Sequence, residues 1–552
     1  MNAVTEGLAA LLTMEVLLSM LLGLMLGLLV GALPGITATM AVALAAGFTL
    51  TLDPIPGLAV LLTIYVAANF GDRVPAILVN TPGTPASIAT TLDGYPMAKQ
   101  GKAGLALTAS ALVSALSIFV SMIVFAAAAI PIATLARDYF RSPELFALVV
   151  FGLSVMIGIS SRSVLKGMLA GVFGLLLGTI GVYSATGEQR FTFGNINLTQ
   201  DGLSFIAVII GLFGVAELLD QMLTHHEHKI KPISSLGRWW PNKAEYRRSA
   251  KPFGIATGVG VVVGLIPAAG GDIAGLVGWD RARRASKHPE EYGKGSIEGV
   301  VAADSASSAT LGGSLTTTMA LGIPGDSVMA VMIGSMLIWG LRPGPTLFTE
   351  QPDLVVSITG IMIAATVLSL AVSLVRLRGM VRLLDTPNQY LWPIILIFCI
   401  VGTYATTNNI FTVGTMLVFG VIGVVFKRVG VPAGPVVLGL LLGPIAEENL
   451  SRTLVLAQAR PVFDVWSPVA LFLLALSLFS LLWPLIRRAF ARGRGRGVGE
   501  PVVAEAVDDG LGDPEAAARR SRTSTPVAPP TDTGDSTPES PANLIPDREQ
   551  ER

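Results

Sequence analysis

The sequence predicts an all-α fold: a polytopic integral membrane protein with two internally repeated halves and broken, re-entrant helices. Three observations predict it. The 552 residues are 52% hydrophobic and 14% charged, with 60 glycines and a mean hydropathy of +0.65, too apolar for a soluble domain of this length. Apolar runs of about 20 residues, enough to cross a bilayer core, recur along the chain. Two Gly-Pro breaks also appear in the same order in each half. The first half has Leu33-Pro34-Gly35-Ile36-Thr37 and Asn80-Thr81-Pro82-Gly83-Thr84-Pro85; the second has Ile266-Pro267-Ala268-Ala269-Gly270-Gly271 and Gly322-Ile323-Pro324-Gly325-Asp326-Ser327. The partners Pro34 and Pro267, Pro82 and Pro324, and Pro143 and Pro387 are nearly equally spaced, as one duplicated unit requires. Interrupted helices in corresponding positions of two halves are the sequence mark of a secondary transporter.

Read in order, the spans fall at 8–33, 57–71, 104–136, 144–160, 164–183, 203–222, 353–375, 389–407, 409–426, 432–446 and 466–486. Shorter segments near 36–52, 74–92, 253–279, 297–320 and 327–341 carry Gly, Pro and small polar residues and are read as broken. The first run is too long for a cleaved signal peptide and lacks a basic leader, so it reads as a retained helix. Four units follow: a membrane repeat over 1–222, a basic cytoplasmic loop over 223–252, a second repeat over 253–490 and a disordered cytoplasmic tail over 491–552. Lys229, Lys231, Arg238, Lys243, Arg247, Arg248 and Lys251 place the first loop in the cytoplasm, and Arg487, Arg488, Arg492, Arg494 and Arg496 do the same after the last span. Arg281, Arg283, Arg284, Lys287 and Lys294 repeat the sign. With both flanks on one side, 253–279 becomes a re-entrant hairpin tipped by Pro267, allowed at membrane depth only where protein or a wet cavity satisfies its backbone. Beyond Gly497, Pro, Ser, Thr and charged residues dominate, a composition unable to bury a core.

Zero formal net charge and 7% aromatic residues exclude a nucleic-acid platform. The basic cluster before the tail suits anionic lipid instead. Cys399, the single cysteine, precludes an intrachain disulfide and a thiolate metal site. Gly23, Gly27 and Gly31, Gly174 with Gly178, and Gly439 with Gly443 recur every fourth residue and mark close helix contact. His225-His226-Glu227-His228 lies in a charged loop without further ligands and is not read as a metal site.

The chemistry is expected at the breaks. Thr84 suits a helix N-cap and Pro85 the first helical position, leaving the amides of Ala86 and Ser87 as donors to an anion. Asn80, Thr81, Pro82, Gly83, Thr84 and Ser87 are therefore substrate-binding candidates. Pro34, Gly35, Pro267, Gly270, Gly271, Pro324, Gly325 and Ser327 join them from the other breaks. Asp326 stands where the first copy has Thr84, and reads first as a helix cap and second as a cation ligand. Ionisable groups at membrane depth are functional suspects. Asp272, Asp304, Ser307 and Asp326 are the candidates for a coupling cation. Asp72 and Arg73 are sequence neighbours that would not face each other on a helix, leaving Arg73 either at the membrane interface or available to a substrate carboxylate.

The run Asn80-Thr81-Pro82-Gly83-Thr84-Pro85-Ala86-Ser87 continuing to Gly104 resembles the large membrane subunit of the tripartite tricarboxylate transporters, the TctA family. Gly31 to Gly35, Arg190-Phe191-Thr192-Phe193-Gly194, Gly211 to Glu217, Gly293 to Gly299, Leu321 to Gly325 and Pro343-Gly344-Pro345 match as well, so the resemblance reaches about residue 490. It implies a bacterial inner-membrane permease with a cytoplasmic tail, a small TctB-like membrane subunit, a TctC-like periplasmic substrate-binding protein, and gradient-driven uptake of carboxylates by an elevator-type motion. No cofactor is implied beyond Na⁺ or H⁺ as coupling ion. The chain departs from the family's Pro-Glu-Ala-Ala-Asn-Asn at Ala303 to Ser308, from Gly-Ser at Asp72-Arg73, and from a small residue at Asp326. Two other classes compete. An intramembrane hydrolase or transferase draws on Ala269-Gly270-Gly271-Asp272, which lacks the first glycine of the Gly-x-Gly-Asp element of aspartyl membrane proteases; a passive channel needs no interrupted, duplicated core.

Overall fold

The computed structural model describes residues 7, 9, 11–33, 36–160, 163–183, 186–224, 236–267, 269–375, 388–459 and 465–493. The expectations for Pro34, Gly35, Pro387, the His225–His228 tract and the tail fall outside the described residues. Among those described the protein is helical apart from one two-stranded hairpin, and six helices are long and apolar enough to cross a membrane.

Helix α1 (Met14–Ala32) starts where the Thr13 hydroxyl accepts from Val16 N at 3.4 Å, and it turns Gly23, Gly27 and Gly31 inward. Its opposite face shows Leu17, Leu18, Leu21, Leu22 and Met25 to the outside, a surface suited to lipid. After the first break, α2 (Ala38–Thr49) is capped by Thr37, whose hydroxyl accepts from Met40 N at 3.1 Å. α3 (Pro54–Gly71) opens on proline and passes through Asp72 into α4 (Arg73–Val79). The three inward glycines of α1 meet α3, where a Cβ would strike the backbone of Val60, Ile64 and Ala68, so the predicted glycine stripe is a helix contact. Asn80, in the left-handed region at φ 55°, ends α4. The unwound residues after it lead through a 3₁₀ turn (Pro85–Ser87) into α5 (Ile88–Lys99).

α6 (Ala103–Tyr139), α7 (Ser142–Ser160) and α8 (Val164–Gly178) follow, then a hairpin of β1 (Gly181–Val182) and β2 (Gln189–Arg190), and α9 (Ile196–Asp201). α10 (Phe205–Ile209) runs through a π turn (Ile210–Val215) into α11 (Ala216–Thr224). The second half begins with α12 (Lys243–Gly264), started by a reciprocal cap between Asn242 and Glu245, so Lys243, Arg247, Arg248 and Lys251 ride on a helix rather than a loop. α13 (Gly270–Ala285) packs back on α12, forming a helical hairpin that turns at Pro267.

α14 (Ile297–Leu321) overturns one expectation: a stretch read as broken is a single unbroken helix, buried almost from end to end. Several of its hydroxyls do not compete with the helix because they return to it. Ser305 donates to Val301 O, Thr316 to Gly312 O and Thr318 to Ser314 O, each four residues back. Gly322 at φ 72° terminates it, and the fourth break leads to α15 (Ser327–Ile338). α16 (Leu347–Glu350), α17 (Pro352–Val375), α18 (Asn388–Thr407), α19 (Ile410–Val429), α20 (Ala433–Ala459) and α21 (Pro468–Gly493) complete the chain.

α14 packs among α6, α12 and α13, and α3 among α1, α2 and α17, so two long, almost wholly buried helices are each enclosed by others. α20 and α21 pack on α7, and α20 also covers α8. Cys399 of α18 is buried, consistent with a packed thiol.

Candidate functional site

A cavity of about 200 Å³ sits where the breaks meet. Thr37, Ala38 and Thr39 line it from the start of α2, Thr84, Pro85 and Ala86 from the 3₁₀ turn before α5, Gly270, Gly271 and Asp272 from the start of α13, and Asp326, Ser327 and Val328 from the start of α15. Four helix beginnings therefore converge on one space. Each contributes a partial positive charge and amides without intrahelical acceptors, and their fields add in this space. Tyr65 and Asn69 of α3, Asp72 at its end, and Ser307, Thr310 and Leu311 of α14 complete most of the wall, with Phe213 of the π turn.

Side-chain bonds hold the breaks to one another. Thr39 Oγ1 and Ser327 Oγ lie 2.8 Å apart, joining the first break to the last. Asp326 caps α15, with Oδ1 accepting from Met329 N at 2.8 Å, and its Oδ2 accepts from the Tyr65 hydroxyl of α3. The first of the two roles read for Asp326 is thus seen directly. Thr84 is the N-cap in backbone conformation, φ −129° and ψ 163°, but its hydroxyl donates to Asp72 Oδ2 instead of capping.

Asp72 and Arg73 do face each other, against expectation: Arg73 Nη1 reaches Asp72 Oδ1 at 2.7 Å. Residue 72 is a junction between α3 and α4, not an interior helical position, and the long arginine stem folds back there. Arg73 Nη2 donates to Ser307 Oγ at 3.0 Å and Ser308 Oγ at 2.8 Å, and Nε lies 3.3 Å from Asp304 Oδ1. Its guanidinium is consumed behind the wall and does not reach the cavity lining. Ser308 Oγ donates to Asn69 Oδ1 at 2.8 Å, and the Thr90 hydroxyl of α5 donates to Asp304 Oδ1. Among the described residues no lysine, arginine or histidine lines the cavity, whereas Asp72, Asp272 and Asp326 do.

The predicted residues divide accordingly. Thr84, Gly270, Gly271, Ser327, Asp272, Ser307, Asp326 and Asp72 line the cavity; Asn80, Thr81, Pro82, Gly83, Ser87, Pro267, Pro324, Gly325, Asp304 and Arg73 do not. Ser87 turns inward, its amide and hydroxyl both donating to Thr84 O, at 3.1 and 2.9 Å. A 3₁₀ turn thus uses the amide that the sequence assigned to an anion. Gly83 is a packing residue: its amide donates to Asp72 O at 3.3 Å, and a Cβ would collide with Gly31 O and Asp72 Cα. Gly83→Ala is expected to lower the thermal midpoint, with an overpacking cost of about 1–3 kcal/mol. Thermal unfolding of the detergent-solubilised variant checks this, and an unshifted midpoint refutes it.

Sequence reasoning missed Tyr65 and Asn69. The signal was present, since Tyr65, Asn69 and Asp72 are spaced four and three apart in an apolar helix and share one face. It also missed Asp93 of α5, fully buried, whose Oδ1 accepts from the amides of Gly293, Gly295 and Ser296 at 2.8, 3.0 and 2.8 Å and whose Oδ2 accepts from Trp279 Nε1 at 2.7 Å. Nothing in the local sequence of α5 points to a partner so distant along the chain.

The profile of the Tripartite tricarboxylate transporter TctA family matches residues 17–438. An uncharacterized 52.8 kDa protein from the TAR-I ttuC' 3' region of Agrobacterium vitis is 36% identical over 450 residues, covering 82% of this chain and 89% of that protein. An uncharacterized protein from the TAR-II ttuC' 3' region of the same organism is 34% identical over 227 residues, covering 41% of this chain and 94% of that protein. No solved structure matches the chain.

Proposed function

Because the chain belongs to the tripartite tricarboxylate transporter TctA family, and is thus a multi-pass subunit of such a transporter, we propose that it is the permease that carries a di- or tricarboxylate across the bacterial inner membrane with a coupling cation. A periplasmic binding protein delivers the anion and a small membrane subunit completes the complex. The carboxyl-terminal tail lies in the cytoplasm, the side to which the arginines from Arg487 to Arg496 assign it.

The observation that supports this reading is the meeting of four helix beginnings on one cavity with no basic side chain in its wall among the described residues. Backbone dipoles recognise carboxylates without a fixed countercharge, so the anion can leave as well as enter. One hydroxyl of the Thr39–Ser327 pair keeps a hydrogen to donate, and Gly270 and Gly271 bring backbone without side chains of its own into the wall. The lining carboxyls repel an anion unless a proton or cation neutralises them. That requirement makes the coupling electrostatic.

The test is uptake of citrate, succinate and related acids into proteoliposomes holding the full tripartite set under Na⁺ and pH gradients. Gradient-driven accumulation of at least one is expected; none with any gradient overturns the reading. Thr84→Val is expected to weaken apparent affinity about tenfold, the scale of one lost hydrogen bond to a charged group, about 1.5 kcal/mol, while insertion is unaffected. Unchanged affinity removes Thr84 from the site.

A further inference from the structure

The cavity at the breaks has a neighbour. A second cavity, of about 380 Å³, has Thr37, Leu212, Phe213, Glu217, Lys427 and Val431 in its wall. Thr37 and Phe213 belong to the walls of both cavities, so these two residues stand where one space adjoins the other. They differ in freedom. Thr37 is fixed as the cap of α2, its hydroxyl accepting from Met40 N at 3.1 Å. Phe213 is partly exposed, has no polar side-chain atom by which a hydrogen bond could hold it, and sits in the π turn, an irregularity frequent at functional sites. A third cavity, of about 590 Å³, lies at the far ends of α3 and α15, against Pro54 and Trp339. Those helices reach the first cavity through Asp72 and Asp326 at their other ends, yet among the described residues the third cavity shares no wall residue with it. The cavity at the breaks is therefore adjoined on one side and closed off on the other.

Charge tells which side is joined. α11, which brings Ala216 and Glu217 to the second cavity, leads in sequence to the basic residues Lys229 to Lys251. α19 has Lys427 and Arg428 in its last turn, and Lys166 of α8 donates to Val429 O at 2.5 Å. Basic residues gathered at helix ends mark the cytoplasmic face. The wall of the third cavity holds no lysine or arginine among the described residues. Resting on the carboxylate transport proposed above, we propose that the second cavity is the vestibule through which the carboxylate passes between its site and the cytoplasm, and that Phe213 is the door between them. Lys427 does not make the vestibule a second binding site. Its ammonium is held by Glu217 at 2.9 Å and by Asp220 at 2.6 Å, so a passing carboxylate is not retained by it. The door works by rotation of one side chain. Swung aside, Phe213 joins the two cavities; in place, it keeps vestibule water from weakening the fields of the helix beginnings.

Labelling of a thiol tests the door without requiring transport. Cys399, the single native cysteine, is buried, so the wild type supplies the background. Ala86→Cys puts a thiol in the wall of the cavity at the breaks. Membrane vesicles holding the full tripartite set, oriented either way, are exposed to a membrane-impermeant anionic methanethiosulfonate. Reaction of Ala86→Cys is expected from the cytoplasmic face. Adding Phe213→Ala is expected to speed it, by about tenfold for a door that stands open a tenth of the time. Val431→Trp fills the vestibule from a position that does not line the first cavity, and is expected to slow the reaction by a similar factor; it carries the test if Phe213→Ala does not fold. Reaction from the periplasmic face alone, or at a rate that neither change alters, overturns the proposal. Citrate uptake is read separately in proteoliposomes. Labelling that obeys residue 213 in a protein that accumulates no carboxylate leaves the door standing and overturns the transport reading alone.

Discussion

Replacing Arg73 by methionine is expected to cost about 3–5 kcal/mol of stability, the loss found when one partner of a buried ion pair is removed and the other is left uncompensated. Arg73 is the single cation between Asp72 and Asp304, and its second terminal nitrogen also serves Ser307 and Ser308. Its removal strands two carboxyl groups and two hydroxyls in the least exposed part of the protein. The cost lies in what remains, so neutralising the remainder should repair it: adding Asp72→Asn to Arg73→Met is expected to recover most of the thermal midpoint measured in detergent. Transport should not recover with it, since Thr84 would then face an amide rather than a carboxylate. Arg73→Lys is expected to be intermediate, because an ammonium reaches one partner at a time where the guanidinium fork reaches four groups. An Arg73→Met protein as stable as the wild type would show that the pair is not a charged one.

Asp93→Ala is the second large effect. The carboxylate gathers three amides of one turn and an indole N–H, all within 3.0 Å. Gly293 at φ 82° and Gly295 at φ 97° supply backbone that turns those amides toward one point, a conformation that side chains oppose. Truncation to alanine leaves four donors without an acceptor, two of them, Ser296 N and Trp279 Nε1, in buried residues, and at about 1–3 kcal/mol for each buried one, unfolding of the contact between α5 and the 293–296 turn is expected. Asp93→Asn separates charge from geometry. One amide oxygen still accepts from the turn, but the NH₂ group then opposes the Trp279 N–H. Adding Trp279→Phe to Asp93→Asn removes that opposition and is expected to raise the thermal midpoint above that of Asp93→Asn alone. If it falls further by the full effect of each single change, the two residues do not interact.

Much of this protein is legible in the order of its amino acids, and the reason differs by feature. Spans read well where a lipid-facing surface demands apolar side chains, as on the outward face of α1. They read poorly where a helix is buried in protein. α14 looks like a broken segment because Ser, Thr, Gly and Asp fill it, yet it is continuous, since polar side chains surrounded by other helices bond back to their own carbonyls. The breaks themselves are readable because Pro and Gly act through local sterics. Which residues of a break face the cavity is not. Thr84 and Ser87 are three apart on one motif, and a 3₁₀ turn rather than an α-helical turn sends Ser87 into the protein.

The sequence alone determined the class of molecule, the positions of all four interruptions and the family, because composition, proline placement and contiguous motifs are properties of the chain read in order. The tertiary structure alone decided that the four interruptions share one cavity, that Arg73 is turned away from it toward Asp72 and Asp304, and that Asp93 holds a turn some two hundred residues further on. Those are through-space facts. A side chain's charge is written in the sequence, but the partner that neutralises it is selected by packing between helices that the sequence keeps far apart.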